Sequence, residues 1–118
     1  MLNFLRPAAP VALTVQDVQD RQAKGDLVLV DVREVAEVKA SGKAKGALNI
    51  PLSVLGLKAN PAMGDCQLNP HQAVAVYCAS GGRSAMAAQS LAQMGYGEVH
   101  NLGGFGDWVR SGGQVERV

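Results

Sequence analysis

The 118-residue chain has two cysteines, Cys66 and Cys78, and two histidines, His71 and His100. One possible disulfide is a thin framework for a secreted domain, so two reduced thiols in the cytoplasm are expected. The histidines have no partners at metal-ligand spacing, and no metal site is expected. Charge of one sign is also missing: 11 Lys and Arg stand against 10 Asp and Glu, a formal net charge of +1. That balance gives no global pull toward nucleic acid or a membrane surface, so any anion preference must be local. No stretch reaches the ~20 apolar residues of a membrane span. In MLNFLRPAAPVALTV (1–15) there is one basic residue, Arg6, and Pro7 and Pro10 break any signal-peptide core. Internal repeats and low-complexity segments are absent, too.

What is present is a globular composition. Hydrophobic residues make up 47% of the chain, and the length argues for one domain. A chain of this size buries roughly 65% of its unfolded surface, enough for a core without staples. Residues 1–12 read as an irregular N-terminal arm and 13–118 as a single domain. Thr14 can cap a first helix that has Asp17 in its first turn and Gly25 near its end. LVLVDV (27–32) is a continuous apolar run of the kind that forms a buried parallel strand. EVAEVKASG (34–42) predicts a short helix, ALNIPL (47–52) a short strand and AVAVY (73–77) a strong buried strand. RSAMAAQSLAQM (83–94) carries apolar residues at helical spacing, EVHNL (98–102) reads as a last strand, and GGFGDWVRSGG (103–113) as a turn and short helix. Residues 53–72, broken by Pro61, Gly64 and Pro70, give no clear pattern. Strands alternating with helices predict an α/β domain with a mostly parallel, five-stranded central sheet flanked by helices.

The stretch that carries chemistry is AVAVYCASGGRSAMAAQSLAQMG (73–95). A buried strand runs into Cys78, then a glycine loop, then a helix. In open parallel sheets ligands sit beyond the carboxyl ends of the strands. Gly81 and Gly82 allow a tight curl, which aims several backbone N–H groups at one spot. A cysteine there has its thiol pKa lowered from about 8.5. The helix dipole supplies roughly 0.3–2 kcal/mol, or about half a unit to one unit. A lone cysteine more often fills a core; Ser80, Gly81, Arg83 and Ser84 around this one argue for a reactive thiolate.

Four stretches in order resemble the rhodanese family. C-A-S-G-G-R-S (78–84) resembles its active-site loop C-x-x-G-x-R, often followed by Ser. DVRE (31–34), GALNIP (46–51) and LAQMGYGEVHNLGGFGDW (91–108) resemble its other signatures. The family's G-H-I-P is replaced by Gly42-Lys43-Ala44-Lys45, and Gln114 stands where the tail often has Pro. The resemblance implies the rhodanese fold and a sulfurtransferase that uses no cofactor. Cys78 would be the catalytic residue, carrying sulfur as a covalent persulfide. Ala79, Ser80, Gly81, Gly82, Arg83 and Ser84 would form the substrate- and persulfide-binding loop. Asp31 and Arg33 would support it from behind, Arg83 would clamp an anionic donor or tie the loop by a salt bridge, and Lys43 and Lys45 would either rim the mouth or lie on a solvated loop. The implied partners are a small anionic sulfur donor such as thiosulfate and an acceptor that is cyanide, a thiol or a carrier protein.

Two alternatives stand beside this. Phosphatases and arsenate reductases of the same fold place five residues between Cys and Arg; here four intervene, Ala79 to Gly82. Non-catalytic rhodanese-like binding or regulatory modules often lack the cysteine, which this chain keeps. Cys66 is either a resolving thiol for Cys78 or a bystander.

Overall fold

Alternation along the chain decides the architecture, and the computed structural model describes it for residues 13–118. The expected arm at 1–12 lies outside the described residues. Thr14 caps helix α1 (Val15–Lys24): its hydroxyl accepts from the Asp17 N–H at 3.0 Å, and the Asp17 carboxylate accepts from the Thr14 N–H. Gly25, at φ +75°, closes the helix in the left-handed conformation. Strand β1 (Leu27–Asp31) follows, then α2 (Val35–Ser41), β2 (Lys43–Ala44), β3 (Leu48–Asn49) and α3 (Leu52–Lys58). After an irregular stretch come β4 (Ala73–Cys78), α4 (Gly82–Gln93), β5 (Val99–Gly104), α5 (Phe105–Arg110) and β6 (Val115–Glu116).

The main sheet is parallel, with strand order β3-β1-β4-β5. It has four strands where the sequence predicts five. The remaining extended residues pair separately: β2 and β6 form an antiparallel ribbon, with Lys43 opposite Glu116. All six residues of β4 are buried, as a central parallel strand covered on both faces requires. Its period of two divides the core. Val74, Val76 and Cys78 face a cluster with Val30, Ile50, Leu55 and Leu91, under α3 and α4. Ala73, Ala75 and Tyr77 face a second cluster with Val18, Leu29 and Trp108, under α1 and α5. Each fully buried Leu, Ile or Val contributes roughly 1.5–3 kcal/mol.

Two expectations need correction. The strand expected over 47–52 is only Leu48–Asn49, because the chain turns into α3 directly after Pro51. Helix α3 itself falls in the stretch read as patternless from 53 onward. Its sequence, LSVLGLK, contains a glycine and has no side-chain cap, and its one fully buried side chain is Leu55. Packing against the core holds it, more than local preference does.

Candidate functional site

Strand β4 delivers Cys78 to the carboxyl edge of the sheet, where a bulge interrupts the β4–β5 ladder and Cys78 lies opposite Gly104. The chain then curls through Ala79, Ser80 and Gly81 into α4. Gly81 is the N-cap of α4 at φ +105°, a conformation that side chains with a Cβ rarely adopt. This curl brings the Gly81 N–H to 2.9 Å from Cys78 Sγ. Ser84, fully buried one turn into the helix, places its Oγ 3.4 Å from the same sulfur. Gly82 and Arg83 complete the first turn of α4.

Burial pushes the Cys78 thiol up. Against it act the Ser84 hydroxyl and then the backbone N–H groups of Ser84, Gly81 and Ser80, and together they hold the thiol below its ordinary value. The sulfur is thus a buried anion site made largely of main-chain donors, at the positive end of a twelve-residue helix. Cys78 exposes 1% of its surface.

Two glycines that the sequence reading left in a turn belong to this site. Gly103, at φ +86°, packs its Cα against Gly81. A Cβ on Gly104 would collide with the Ala79 carbonyl oxygen and lie 3.2 Å from the Ser80 Cα. The loop therefore rests on bare backbone of β5. The recognisable signal was the Gly-Gly pair at the end of a strand. Gly104→Ala is expected to push the loop off β5, costing roughly 1–3 kcal/mol of stability and slowing alkylation of Cys78 at neutral pH. Equilibrium denaturation and alkylation rates check this; unchanged values for both would remove the contact's importance.

Asp31 and Arg33, expected to support the loop, pair with each other at the end of β1 and make their recorded hydrogen bonds away from residues 79–84. Asp31 is fully buried and Arg33 nearly so. The Arg33 guanidinium donates to Asp31 Oδ2 at 2.7 Å, to Ser41 Oγ at 2.8 Å and to the Gly42 carbonyl at 2.8 Å. It also lies 4.5 Å over the Phe105 ring. Asn49 Nδ2 donates to the carbonyls of Asp31 and Arg33, fastening β3 to the same turn. Their hydrogen bonds go to this turn and to the start of the β2 ribbon.

Arg83 is paired. Its guanidinium donates to both Glu37 oxygens, at 2.6 and 2.8 Å, tying α4 to α2. The guanidinium holds the Glu37 carboxyl down at about 2, helped by the Glu34 N–H. Of the two roles expected for Arg83, the structure places the salt bridge in plain view. The recorded contacts of Lys43 and Lys45, expected at the mouth, are with the β6 ribbon, the following turn and α1. Lys43 Nζ donates to the Ala47 carbonyl and lies 3.6 Å from Glu116, and the Lys45 carbonyl accepts from Gln22 of α1. The ribbon with β6 carries both toward α1, whereas the cysteine loop packs on β5.

Cys66 is a bystander by position. Its Sγ lies 3.1 Å from the Leu68 carbonyl and 3.8 Å from the Tyr96 hydroxyl. Tyr96 lies past the end of α4, a helix about 18 Å long at 1.5 Å per residue, and Cys78 precedes its start. Both thiols are free. His100 Nε2 lies 2.7 Å from Glu98, which also pairs with Arg21. Among the described residues, no helix is long and apolar enough to cross a membrane.

Comparison with known proteins gives this geometry a family. The model of the rhodanese-like domain matches residues 14–111. The chain belongs to the rhodanese-like domain family. A mouse relative, thiosulfate sulfurtransferase/rhodanese-like domain-containing protein 3, is 30% identical over 110 residues, covering 86% of this chain and 70% of that one. The thiosulfate sulfurtransferase PspE of Escherichia coli is 37% identical over 78 residues, covering 66% of this chain and 70% of its own. A solved structure from Rhodopseudomonas palustris, of unknown function and described as a possible tyrosine phosphatase, superposes with a TM-score of 0.73 at 33% identity. It covers 89% of this rhodanese-like chain and 83% of its own.

Proposed function

We propose that this rhodanese-like protein is a sulfurtransferase that moves sulfane sulfur from a donor such as thiosulfate to a thiophilic acceptor. The Cys78 thiolate attacks the outer sulfur of the donor. The donor's S–S bond breaks, and sulfite leaves with the bonding electron pair. The new persulfide anion lies where Ser80, Gly81 and Ser84 direct their N–H groups, as donors in an oxyanion hole meet oxygen. An acceptor nucleophile (cyanide, a thiol or a carrier protein) then attacks the terminal sulfur and regenerates the thiolate. This is covalent ping-pong catalysis that needs no cofactor. A reducing, cytoplasmic setting goes with two free thiols.

The observation that carries the reading is the Cys78 sulfur held 2.9 Å from the Gly81 N–H, in a loop with four residues between Cys78 and Arg83. A ring this small converges on one sulfur atom. A phosphatase loop has one more residue and encircles a tetrahedral oxyanion. The deciding assay compares thiosulfate:cyanide sulfurtransfer with aryl phosphate hydrolysis by the wild-type chain. Sulfurtransfer should dominate; faster phosphate hydrolysis overturns the reading.

Arg83 is proposed to hold positive charge at the mouth while tying α4 to Glu37. Losing one charge-assisted contact costs about 1.5 kcal/mol, or about tenfold in kcat/KM for thiosulfate. Arg83→Ala should show that loss and Arg83→Lys part of it, because a lysine lacks the two-pronged geometry. A value within twofold of wild type for Arg83→Ala would leave Arg83 as a tie between helices alone.

A further inference from the structure

Ser84 has one hydroxyl proton and several partners competing for it. Its Oγ lies 2.7 Å from Asn101 Oδ1, 3.0 Å from the Gly81 carbonyl, 3.3 Å from the Gly103 carbonyl and 3.4 Å from Cys78 Sγ. The shortest contact is to Asn101. With the sulfur protonated, the arrangement is complete: the thiol donates to Ser84 Oγ, and Ser84 donates to Asn101. Once the sulfur is an anion it has no proton to give, and the hydroxyl can serve it only by turning away from Asn101. The Asn101 oxygen is then left with its other donor, the Gly103 N–H at 2.9 Å.

We infer that Asn101 is a positioning residue that competes with the Cys78 sulfur for the Ser84 proton, and so sets how readily the sulfur becomes anionic. Asn101 touches neither the sulfur nor a donor molecule and acts through Ser84. The inference rests on Cys78 being the reacting sulfur. The competition exists because β5 carries Asn101 alongside the first turn of α4, two residues before Gly103, where the backbone that supports the loop begins. Other charged groups around the site are engaged elsewhere. Arg83 of α4 pairs with Glu37 of α2, Arg33 is held by Asp31 at the end of β1, and Asp107 of α5 accepts from the Gly104 N–H. Glu34 caps α2 beside Arg83. The sequence reading gave Asn101 no role, since an Asn within a strand carries no motif of its own.

The test is the pH dependence of Cys78 alkylation by iodoacetamide in the full chain, resolved by peptide mass spectrometry so that Cys66 does not contribute. This readout needs no sulfur donor, so it stands or falls separately from sulfurtransfer. Removing the competitor in Asn101→Ala should lower the apparent pKa of Cys78 by about half a unit, giving about threefold more thiolate at a pH well below it. In a Ser84→Ala background the same substitution should leave the pKa unchanged. Asn101→Asp keeps an acceptor for Gly103 and grips the serine proton harder. It should raise the pKa, by more in the presence of Ser84 than in its absence. A merely structural Asn101 predicts the opposite sign for Asn101→Ala, because a loosened loop directs fewer N–H groups at sulfur whether or not Ser84 is there. A raised pKa in Asn101→Ala, or equal shifts of either variant with and without Ser84, overturns the proposal.

Discussion

Cys78→Ser is expected to reduce thiosulfate:cyanide sulfurtransfer to the uncatalysed level, a loss on the order of a thousandfold or more. Serine is close to cysteine in size, and its hydroxyl would face the Gly81 N–H and Ser84 Oγ that now face the sulfur. The fold should therefore persist, with a cooperative unfolding transition close to that of the wild type. What disappears is the only atom at this position able to bond a sulfane sulfur and release it again. Cys66→Ser should retain activity, because Cys66 sits against Leu68 and Tyr96, past the far end of α4. Steady-state kinetics on both variants decide. Activity surviving in Cys78→Ser while Cys66→Ser is inactive would assign the chemistry to the other thiol.

Asp31→Ala should produce the largest loss of stability. Asp31 is fully buried, and its carboxylate accepts from both the Arg33 backbone N–H at 2.9 Å and the guanidinium at 2.7 Å. Removing it leaves a guanidinium that is 5% exposed without its counter-charge. Breaking one side of a buried ion pair costs roughly 3–5 kcal/mol, a large share of the ~5–15 kcal/mol that holds a domain together. The Ser41, Gly42 and Phe105 contacts to Arg33 remain, which keeps the loss within that range. Urea denaturation measures it. Replacing both partners, in Asp31→Leu with Arg33→Met, should cost less than Asp31→Ala, since no charge is then stranded. A loss below about 1 kcal/mol for Asp31→Ala would show that the pair is a surface-like contact.

The parts of this molecule that were legible in the sequence are those where one local pattern suffices. The run Ala73–Cys78 declares a buried strand by composition, and Thr14 with Asp17 declares a helix start by spacing. Gly81 beside a cysteine declares a curl, because glycine alone takes φ +105° freely. What escaped depends on residues far apart in the chain. Helix α3 has few local signals and is held by burial of Leu55. The pairing of Lys43 with Glu116 spans 73 positions, and nothing near either residue announces it. Glu37 and Arg83 are 46 residues apart, so the second role of the arginine appears only when α2 meets α4. The same holds for Asn101, whose neighbour Ser84 belongs to another element. Motif order located the sulfur; the tuning of that sulfur is a tertiary property.

The central claim is that the Cys78 sulfur accepts and holds one sulfur atom. Its most direct measurement is intact-mass and peptide mass spectrometry after brief exposure of the reduced chain to thiosulfate. A gain of one sulfur per chain is expected, localised to the peptide bearing Cys78, removed by cyanide and absent from Cys78→Ser. An unmodified Cys78, or the added sulfur on Cys66 alone, would contradict it.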